Sequence, residues 1–506
     1  MFKNIKNHLN SPRRISIMMG ILKLLRAGIS VITLILSAKY FGLTFERDAW
    51  VIAMAIPTVI LQSLFGPVNE IFRAKYIYIR EQEGHAKAEE ATSSLCSFFS
   101  IIAIVIIAAC IFYPQVFSNI FAPGYKSGKE QIALIFMIQI TIPFLLFNEL
   151  VALWTSVLNS AESFLIPDIY NLLSGLIGIV LLIVLVPFIG IYSLIVSVYI
   201  AILPLIVILF RQIHRKKICL KFKIPSFSEI RPFLIFALPF YLSYIVGQVN
   251  GACEKAFCTN LGEGCVSILD YARNFVNYPQ TIFMTVVFSI LTPLVAKFFI
   301  QNKREEYQKE IRSFLRLALL IFLPVVIIFC CCSKEIISLF LLHGKFDANK
   351  VSLTANTLSV FGIGLIGIIF YSICGQMLVA LNKAKQYAFW AIAGQVLILL
   401  LNILFYKRYG VVFFALSWSS SMILSGFVMF ILLPINKVLI RQDVLKLLIM
   451  YLIIGVGVYF IHNLLQNYGN FISLAIVSCF IGVAMLGLLF LLKIEERFVI
   501  INYFKR

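Results

Sequence analysis

Residues 42–57 read GLTFERDAWVIAMAIP, and residues 264–279 read GCVSILDYARNFVNYP. Each stretch begins with glycine, ends with proline and carries an aspartate at its seventh position, so the second repeats the first 222 positions later. Further matches follow in order at nearly the same offset, including Gly190 with Gly410. This ordered series indicates that the chain contains two copies of one structural unit.

The composition places both copies in a membrane. Of 506 residues, 61% are apolar and 13% are charged, and the mean hydropathy is +0.96. A soluble domain is typically about 45–50% apolar and about 25% charged. Because a spanning helix needs roughly 20 apolar residues, the chain has room for a dozen or more spans and for no large soluble domain.

We predict an all-α polytopic membrane protein of about 14 transmembrane helices. The apolar segments lie at about 15–41, 48–80, 92–113, 131–159, 163–187, 190–210, 229–252, 265–297, 313–340, 353–381, 385–406, 411–434, 445–465 and 471–493. The repeat offset contains six spans, an even number, so the two copies run in the same direction. The predicted plan is a six-helix bundle (1–222), a second six-helix bundle (223–440) in parallel repeat, and a C-terminal helix pair (441–506).

The net charge of +20 follows from loops rather than from a nucleic-acid site. Cytoplasmic loops of membrane proteins are enriched in Lys and Arg, and the basic residues here concentrate in the 211–231 and 297–316 loops. This bias predicts a multi-pass inner-membrane protein with both termini in the cytoplasm. The first apolar run is too long for a signal peptide and is expected to be a retained helix.

Charged side chains inside spans are the candidate functional residues, because each costs several kcal/mol in lipid. Lys23 and Arg26 lie on one face of the first helix, and Arg273 lies in the eighth. We predict that these three line a site for an anionic substrate such as a pyrophosphate, since Arg and Lys bind phosphate oxygens. Pairing with carboxylates of adjacent helices, or snorkelling to the interface, is the structural alternative.

A second group is predicted to act in gating or ion coupling. Asp48 and Asp270 occupy equivalent repeat positions at the outer ends of their helices, and Lys39 lies near the outer end of the first. The two carboxylates could equally cap helix N-termini. Glu70 and Arg73 are expected to form an intrahelical ion pair.

The sequence predicts no metal site and no enzyme. The five histidines fall in loops or at span ends, and no Cys/His spacing is typical of a metal centre. We expect no cofactor apart from a coupling sodium ion or proton. Two like bundles around a central cleft favour a transporter that works by alternating access.

Several ordered motifs resemble one family. They are AKYFGLTFERDAWVIAMAIP (38–57), IFAPGY (120–125), SVLNSAESFLIP (156–167) and NLGEGCVSILDYARNFVNYPQTIF (260–283). Together they resemble the MurJ/MviN family of the multidrug/oligosaccharidyl-lipid/polysaccharide exporter superfamily, over about residues 15–440. The sequence departs from the family pattern at Thr33, where a second arginine is usual, and at Arg273–Asn274, where Asp-Arg is usual.

The resemblance implies a flippase of the bacterial cytoplasmic membrane that moves lipid II, the undecaprenyl-pyrophosphate-linked peptidoglycan precursor, to the outer leaflet. Its partners would be the lipid-linked anionic glycan, the bilayer and envelope-synthesis proteins. Three alternatives stay open: a flippase for O-antigen or exopolysaccharide precursors, a cation-coupled drug exporter, and an envelope scaffold without transport activity.

Overall fold

The computed structural model describes residues 12–125, 128–161, 163–287, 291–435, 437–465 and 468–492. Within these ranges the chain forms helices and no β-strand. The two termini whose cytoplasmic location is predicted, residues 1–11 and 493–506, lie outside the described residues.

The chain forms two compact units, Met1–Ser267 and Ile268–Arg506. The first unit contains ten helices in the part that the structure describes: α1 (Pro12–Phe41), α2 (Phe45–Ile60), α3 (Gly66–Glu83), α4 (His85–Phe112), α5 (Pro114–Phe121), α6 (Lys129–Thr141), α7 (Phe144–Ser160), α8 (Leu165–Ile189), α9 (Tyr192–Arg215) and α10 (Phe227–Thr259). The predicted bundle boundary after residue 222 concerns the sequence repeat and stays a prediction.

Helix α11 (Cys265–Val286) begins in the first unit and continues into the second. The helices that follow are α12 (Thr292–Ile300), α13 (Arg304–Cys331), α14 (Ser333–Phe340), α15 (Val351–Ala380), α16 (Ala384–Tyr409), α17 (Val412–Leu432), α18 (Lys437–Leu464) and α19 (Asn470–Leu491). Helices α18 and α19 are the predicted C-terminal pair.

Thirteen helical segments among the described residues are long and apolar enough to cross a membrane. Two of them combine shorter helices, α2 with α3 and α6 with α7. The predicted span at 265–297 corresponds to α11 and α12, on either side of residues 288–290, which the structure does not describe. The predicted all-α fold with about fourteen spans is confirmed.

The span formed by α2 and α3 contains a π-helical turn, Leu61–Phe65, immediately before Gly66 and Pro67. Proline lacks the N–H that a regular helix would use, so a local change of helical geometry is expected near it. Helix α10 contacts this turn, because the Tyr241 hydroxyl donates a hydrogen bond to the Leu64 carbonyl at 3.0 Å. Gly66 and Pro67 therefore lie beside an irregular turn that a side chain of α10 contacts.

Equivalent glycines end equivalent helices in the two repeats. Gly190 follows α8 with φ +54°, and Gly410 follows α16 with φ +67°. Glycine adopts positive φ without the steric cost of a Cβ atom, so the next helix can begin two residues later in both copies. The sequence match between these two positions thus has a common backbone cause.

The core of the first unit is aromatic and aliphatic. Phe65, Phe72 and Phe233 are fully buried, and the Phe72 and Phe233 rings stack at 5.5 Å between α3 and α10. Lipid tails are as apolar as these side chains, so close van der Waals packing is what favours this contact within a bilayer. The packing fixes α10 against the helices that precede it.

A short extended segment, residues 218–226, joins α9 to α10 along the surface of α4. Its backbone N–H groups at Lys221, Lys223 and Ser226 donate to the hydroxyls of Ser93, Ser97 and Ser94, respectively, at 3.1 to 3.3 Å. These serines supply the acceptors that a regular helix or sheet would have provided. The segment is therefore held in one conformation despite having no regular structure of its own.

Candidate functional site

The two predicted cations of the first helix are both exposed. Lys23 and Arg26 lie one turn apart on α1, which packs against α8. Asp168, in the first turn of α8, is within electrostatic range of both. The structure thus brings together two cations and one carboxylate on neighbouring helices, with more positive than negative charge.

Arg273 and Asp270 lie in the second unit, on α11, and both are half-buried. The Arg273 guanidinium lies 4.9 Å from the centre of the Phe361 ring of α15, a cation–π contact. The backbone carbonyl of Asp270 accepts a hydrogen bond from the Asn274 side chain at 2.8 Å. The aromatic contact orients the guanidinium of Arg273.

Asp48 is fully buried near the start of α2. Its carboxylate accepts hydrogen bonds from the backbone N–H of Gly264 (2.7 Å) and from both the N–H and the hydroxyl of Ser267 (2.7 and 2.5 Å). The Tyr125 hydroxyl donates a fourth bond at 3.1 Å. Asp48 therefore caps the N-terminus of α11, where free N–H groups and the helix dipole favour a negative charge.

The loop before α6 completes this junction. Burial raises the pKa of the Tyr125 phenol far above its ordinary value, and the Asp48 carboxylate raises it further, so the phenol stays a donor. The neighbouring Gly124 N–H donates to the Thr259 hydroxyl at 2.9 Å. A Cβ atom at Gly124 would lie 2.1 Å from the Thr259 carbonyl oxygen, so only glycine fits here.

A cavity of about 530 Å³ opens beside the same junction. Its lining combines backbone of the 123–125 loop with polar side chains, and two of its residues are acidic, Glu130 and Glu263. Glu263 also accepts a hydrogen bond from the Phe45 N–H at 2.8 Å, which ties the loop to the start of α2. The cavity is therefore part of the structural junction around Asp48.

The remaining predicted residues have separate surroundings. Lys39 is exposed, and its ammonium group lies 5.6 Å from the centre of the Tyr40 ring. The structure gives Glu70 and Arg73 other partners than the expected ion pair. Glu70 accepts from the Tyr244 hydroxyl at 3.2 Å, and the Arg73 guanidinium lies 4.7 Å from the centre of the Phe164 ring.

Arg47 is a buried charge that sequence reasoning missed. Only 2% of the residue is exposed, its Nε donates to the Ser37 hydroxyl at 2.8 Å, and its guanidinium lies 4.6 Å from the Trp50 ring. The interaction joins α1 to α2. The sequence does indicate this residue, because Glu46, Arg47 and Asp48 are three consecutive charged residues at the start of an apolar helix.

Glu149 of α7 is a second buried charge-bearing residue. It is fully buried, and the polar side chain beside its carboxyl group is that of Asn69 on α3. Membrane proteins retain such residues at high energetic cost, so each is a candidate for function. The sequence places Glu149 within a span, but its complete burial depends on packing between helices.

The fold and these charges define a multi-pass helical membrane protein of the transporter class. Its predicted cations lie in both units, Lys23 and Arg26 in the first and Arg273 in the second. The family model described as "Lipid II flippase MurJ" matches residues 37–480. The chain belongs to that family, and it is accordingly a multi-pass protein of the inner membrane.

Comparison with individual proteins agrees with this family. A protein described as a probable lipid II flippase MurJ from Rickettsia prowazekii (strain Madrid E) is 28% identical over 387 residues, which cover 72% of this chain and 74% of the relative. Another, described as a lipid II flippase MurJ from Burkholderia cenocepacia, is 24% identical over 353 residues, 67% of each chain.

A solved structure described as lipid II flippase MurJ in an inward closed conformation superposes with a TM-score of 0.81. It is 23% identical in sequence, and the match covers 96% of this chain and 100% of the other. At this level of identity the likeness establishes the fold.

Proposed function

We propose that this protein is a flippase that moves lipid II across the inner membrane by alternating access. The observation that carries the proposal is the family match over residues 37–480, together with relatives described as lipid II flippases. Lipid II bears a pyrophosphate between its lipid and its glycan. Transport of this substrate requires no covalent reaction, so the protein acts as a transporter and not as an enzyme.

The exposed cations of α1 support recognition of the pyrophosphate. A cation in a spanning helix costs about 3 kcal/mol or more unless it meets water or an anion. Lys23 offers a point charge, and Arg26 offers paired N–H donors that match phosphate oxygens. Asp168 offsets part of the charge when no substrate is bound, because it lies in electrostatic range of both.

Arg273 on α11 is proposed as a further cation that binds the substrate. Its contact with Phe361 limits the orientations of the guanidinium, which reduces the entropy lost when an anion binds. Asp270 on the same helix, and Lys39 on α1, are proposed to act in gating. For Asp48 the four hydrogen bonds favour a role in holding the start of α11 during conformational change.

The energy source is proposed to be an ion gradient, of sodium or of protons. Glu149 is a better candidate for coupling than Asp48, because it is buried within a span beside the Asn69 side chain, whereas the carboxylate of Asp48 already accepts four hydrogen bonds. Envelope-synthesis proteins are the proposed partners. The cytoplasm is the proposed location of both termini, in agreement with the basic loops.

A complementation assay tests both the identity of the substrate and the role of the α1 cations. We expect the chain to restore growth when the essential lipid II flippase of a host is depleted. The double variant Lys23→Ala/Arg26→Ala should lower plating efficiency at least ten-fold, whereas Lys407→Ala, which removes an exposed cation at the end of α16, should not. Immunoblots of membranes should give equal amounts of all three proteins.

Two results would contradict parts of the proposal in distinguishable ways. If the wild-type chain fails to rescue, and its deletion in the native host removes a surface glycan, the substrate is another lipid-linked glycan. If the double variant rescues as well as wild type, the α1 cations do not bind the pyrophosphate.

A further inference from the structure

Three metal-ligating side chains converge in the second unit. The Cys332 thiol, the Glu335 carboxylate and the His462 imidazole each offer a donor atom, and these atoms all lie within 4.8 Å of one another. His462 Nε2 lies 3.5 Å from Glu335 Oε1. Sulfur, nitrogen and oxygen donors thus surround one point.

The local structure explains how they meet. Cys332 immediately precedes α14 and Glu335 lies in its first turn, so their i,i+3 spacing places both on one face. His462 lies in the last turn of α18. Because the histidine is 127 positions away from Glu335, no local Cys/His spacing in the sequence could have predicted the group.

The group is buried and incompletely hydrogen-bonded. Cys332 is fully buried, and the side chains of Glu335 and His462 are only 12% and 19% exposed. Glu335 Oε2 and His462 Nδ1 are buried atoms without a hydrogen-bond partner in the part of the chain that the structure describes. More than about nine in ten buried polar groups in proteins have one, and leaving such a group without a partner is unfavourable. A cation bound by the group would take one oxygen of the carboxylate and one nitrogen of the imidazole as ligands.

We propose that Cys332, Glu335 and His462 form a Zn²⁺ site, with water as the fourth ligand. Zinc binds Cys, His and carboxylate donors at about 2.0–2.3 Å in tetrahedral geometry, which places ligand atoms about 3.5 Å apart. Donors already within 4.8 Å reach that arrangement by side-chain shifts of about an ångström. As the Zn–S bond forms, the thiol proton leaves to solvent.

Zinc bound at this site would connect α18 to the residues where α13 ends and α14 begins. At the other end of the same helices, Asp443 of α18 pairs with Arg312 (2.5 Å) and Arg316 (3.0 Å) of α13. About 20 residues separate the two attachments on each helix, a rise of about 30 Å, close to the hydrocarbon thickness of a bilayer. A charge cluster thus holds α18 near one membrane face, and the metal would hold it near the other.

Metal binding by the purified full-length protein tests the proposal. After removal of metals with a chelator, the protein in detergent is dialysed against Zn²⁺, and bound zinc is measured by mass spectrometry. We expect one zinc per chain, with affinity reduced at least ten-fold in Cys332→Ser and in His462→Gln. The matched controls Cys331→Ser and His343→Gln should bind as wild type.

Cobalt(II) substitution gives a second readout. The thiolate-to-cobalt charge-transfer band should appear in wild type and Cys331→Ser, and disappear in Cys332→Ser. Zinc should raise the thermal melting temperature of wild type and leave that of His462→Gln unchanged. Should Cys332→Ser fail to fold, Glu335→Gln and His462→Gln measure the same loss.

The proposal is overturned if the wild-type protein binds less than stoichiometric zinc. It is also overturned if the control variants lose affinity as much as the ligand variants do. A melting temperature that depends on the pH through His462 but not on zinc would identify a His–Glu ion pair instead of a metal site.

Discussion

At the residue scale, Asp48 connects parts of the chain that are far apart in sequence. Its carboxylate accepts hydrogen bonds from Gly264 and Ser267 at the start of α11 and from Tyr125 in the loop before α6. Hydrogen bonds to a charged group contribute about 1.5–3 kcal/mol each, and a buried charge without them would be strongly unfavourable. The junction between these segments therefore depends on one carboxylate.

Asp48→Asn should destabilise the protein although it hardly changes volume. The amide places an N–H₂ group against a backbone N–H or a hydroxyl donor, so at least one accepted hydrogen bond is lost and a buried donor is orphaned. We expect a loss of about 2 kcal/mol or more, measured as a lower thermal melting temperature in detergent. Glu46→Gln, on the same turn but exposed, is the control. Equal melting temperatures for the two variants would refute the capping role.

The sequence predicted part of this junction. Equivalent repeat positions singled out Asp48 and Asp270, and helix capping was one of the two roles considered for them. The identity of the capped helix could not be predicted, because Asp48 caps α11 and not α2, and that pairing exists only after the chain has packed. The shared helix face of Lys23 and Arg26 was easier to predict, because their spacing in the sequence alone places them on it.

At the element scale, helices α15 and α17 approach closely through small residues. A Cβ atom added to Gly367 would lie 2.4 Å from the backbone nitrogen of Ile423, and one added to Gly426 would lie 2.7 Å from the Gly367 carbonyl oxygen. Small residues allow helix backbones to come together in a membrane, where packing contacts take the place of the hydrophobic effect. This contact organises the second unit.

Gly367→Ala should therefore weaken the second unit. The new methyl group would meet backbone atoms, which cannot rotate away, so the helices must separate. We expect a loss of about 1–3 kcal/mol, visible as earlier thermal unfolding in detergent. The matched control is Gly455→Ala in α18, where a Cβ atom meets nothing within 4 Å. Alanine favours helix over glycine by about 1 kcal/mol, so the control should be neutral or stabilising.

If Gly367→Ala unfolds at the same temperature as Gly455→Ala, the close contact between α15 and α17 is not what stabilises the second unit. Residual activity in the complementation assay would separate a loss of stability from a loss of function. Reduced rescue with a normal melting temperature would indicate that the contact matters for movement instead.

The predicted spans agree with most of the helices within a few residues, because runs of about 20 apolar residues specify spanning helices. The extended segment 218–226 was not predicted, since its acceptors are serine hydroxyls of α4 that face it only in the folded protein. The local sequence pattern thus predicts the helices, whereas contacts that exist only in the folded protein determine the conformation of the segments between them.

At the scale of the whole molecule, the distribution of charge sets its orientation in the membrane. The 211–231 loop alone contains seven basic residues: Arg211, Arg215, Lys216, Lys217, Lys221, Lys223 and Arg231. Segments with this charge resist translocation, so the loop is expected in the cytoplasm. The segment around Glu263 lies at the other end of α10, one span away from the 211–231 loop; it carries few basic residues and is expected outside.

Cysteine labelling tests this orientation. Cys219 is exposed in the extended segment, so a variant that keeps only this cysteine reports on the basic loop. In spheroplasts, a membrane-impermeant maleimide should label this variant only after permeabilisation. In a cysteine-free background, Glu263→Cys should be labelled without permeabilisation, since Glu263 is exposed at the opposite end of α10. Labelling of Cys219 in intact spheroplasts would reverse the orientation, and would place Lys23 and Arg26 near the outer face instead of the side where lipid II is made.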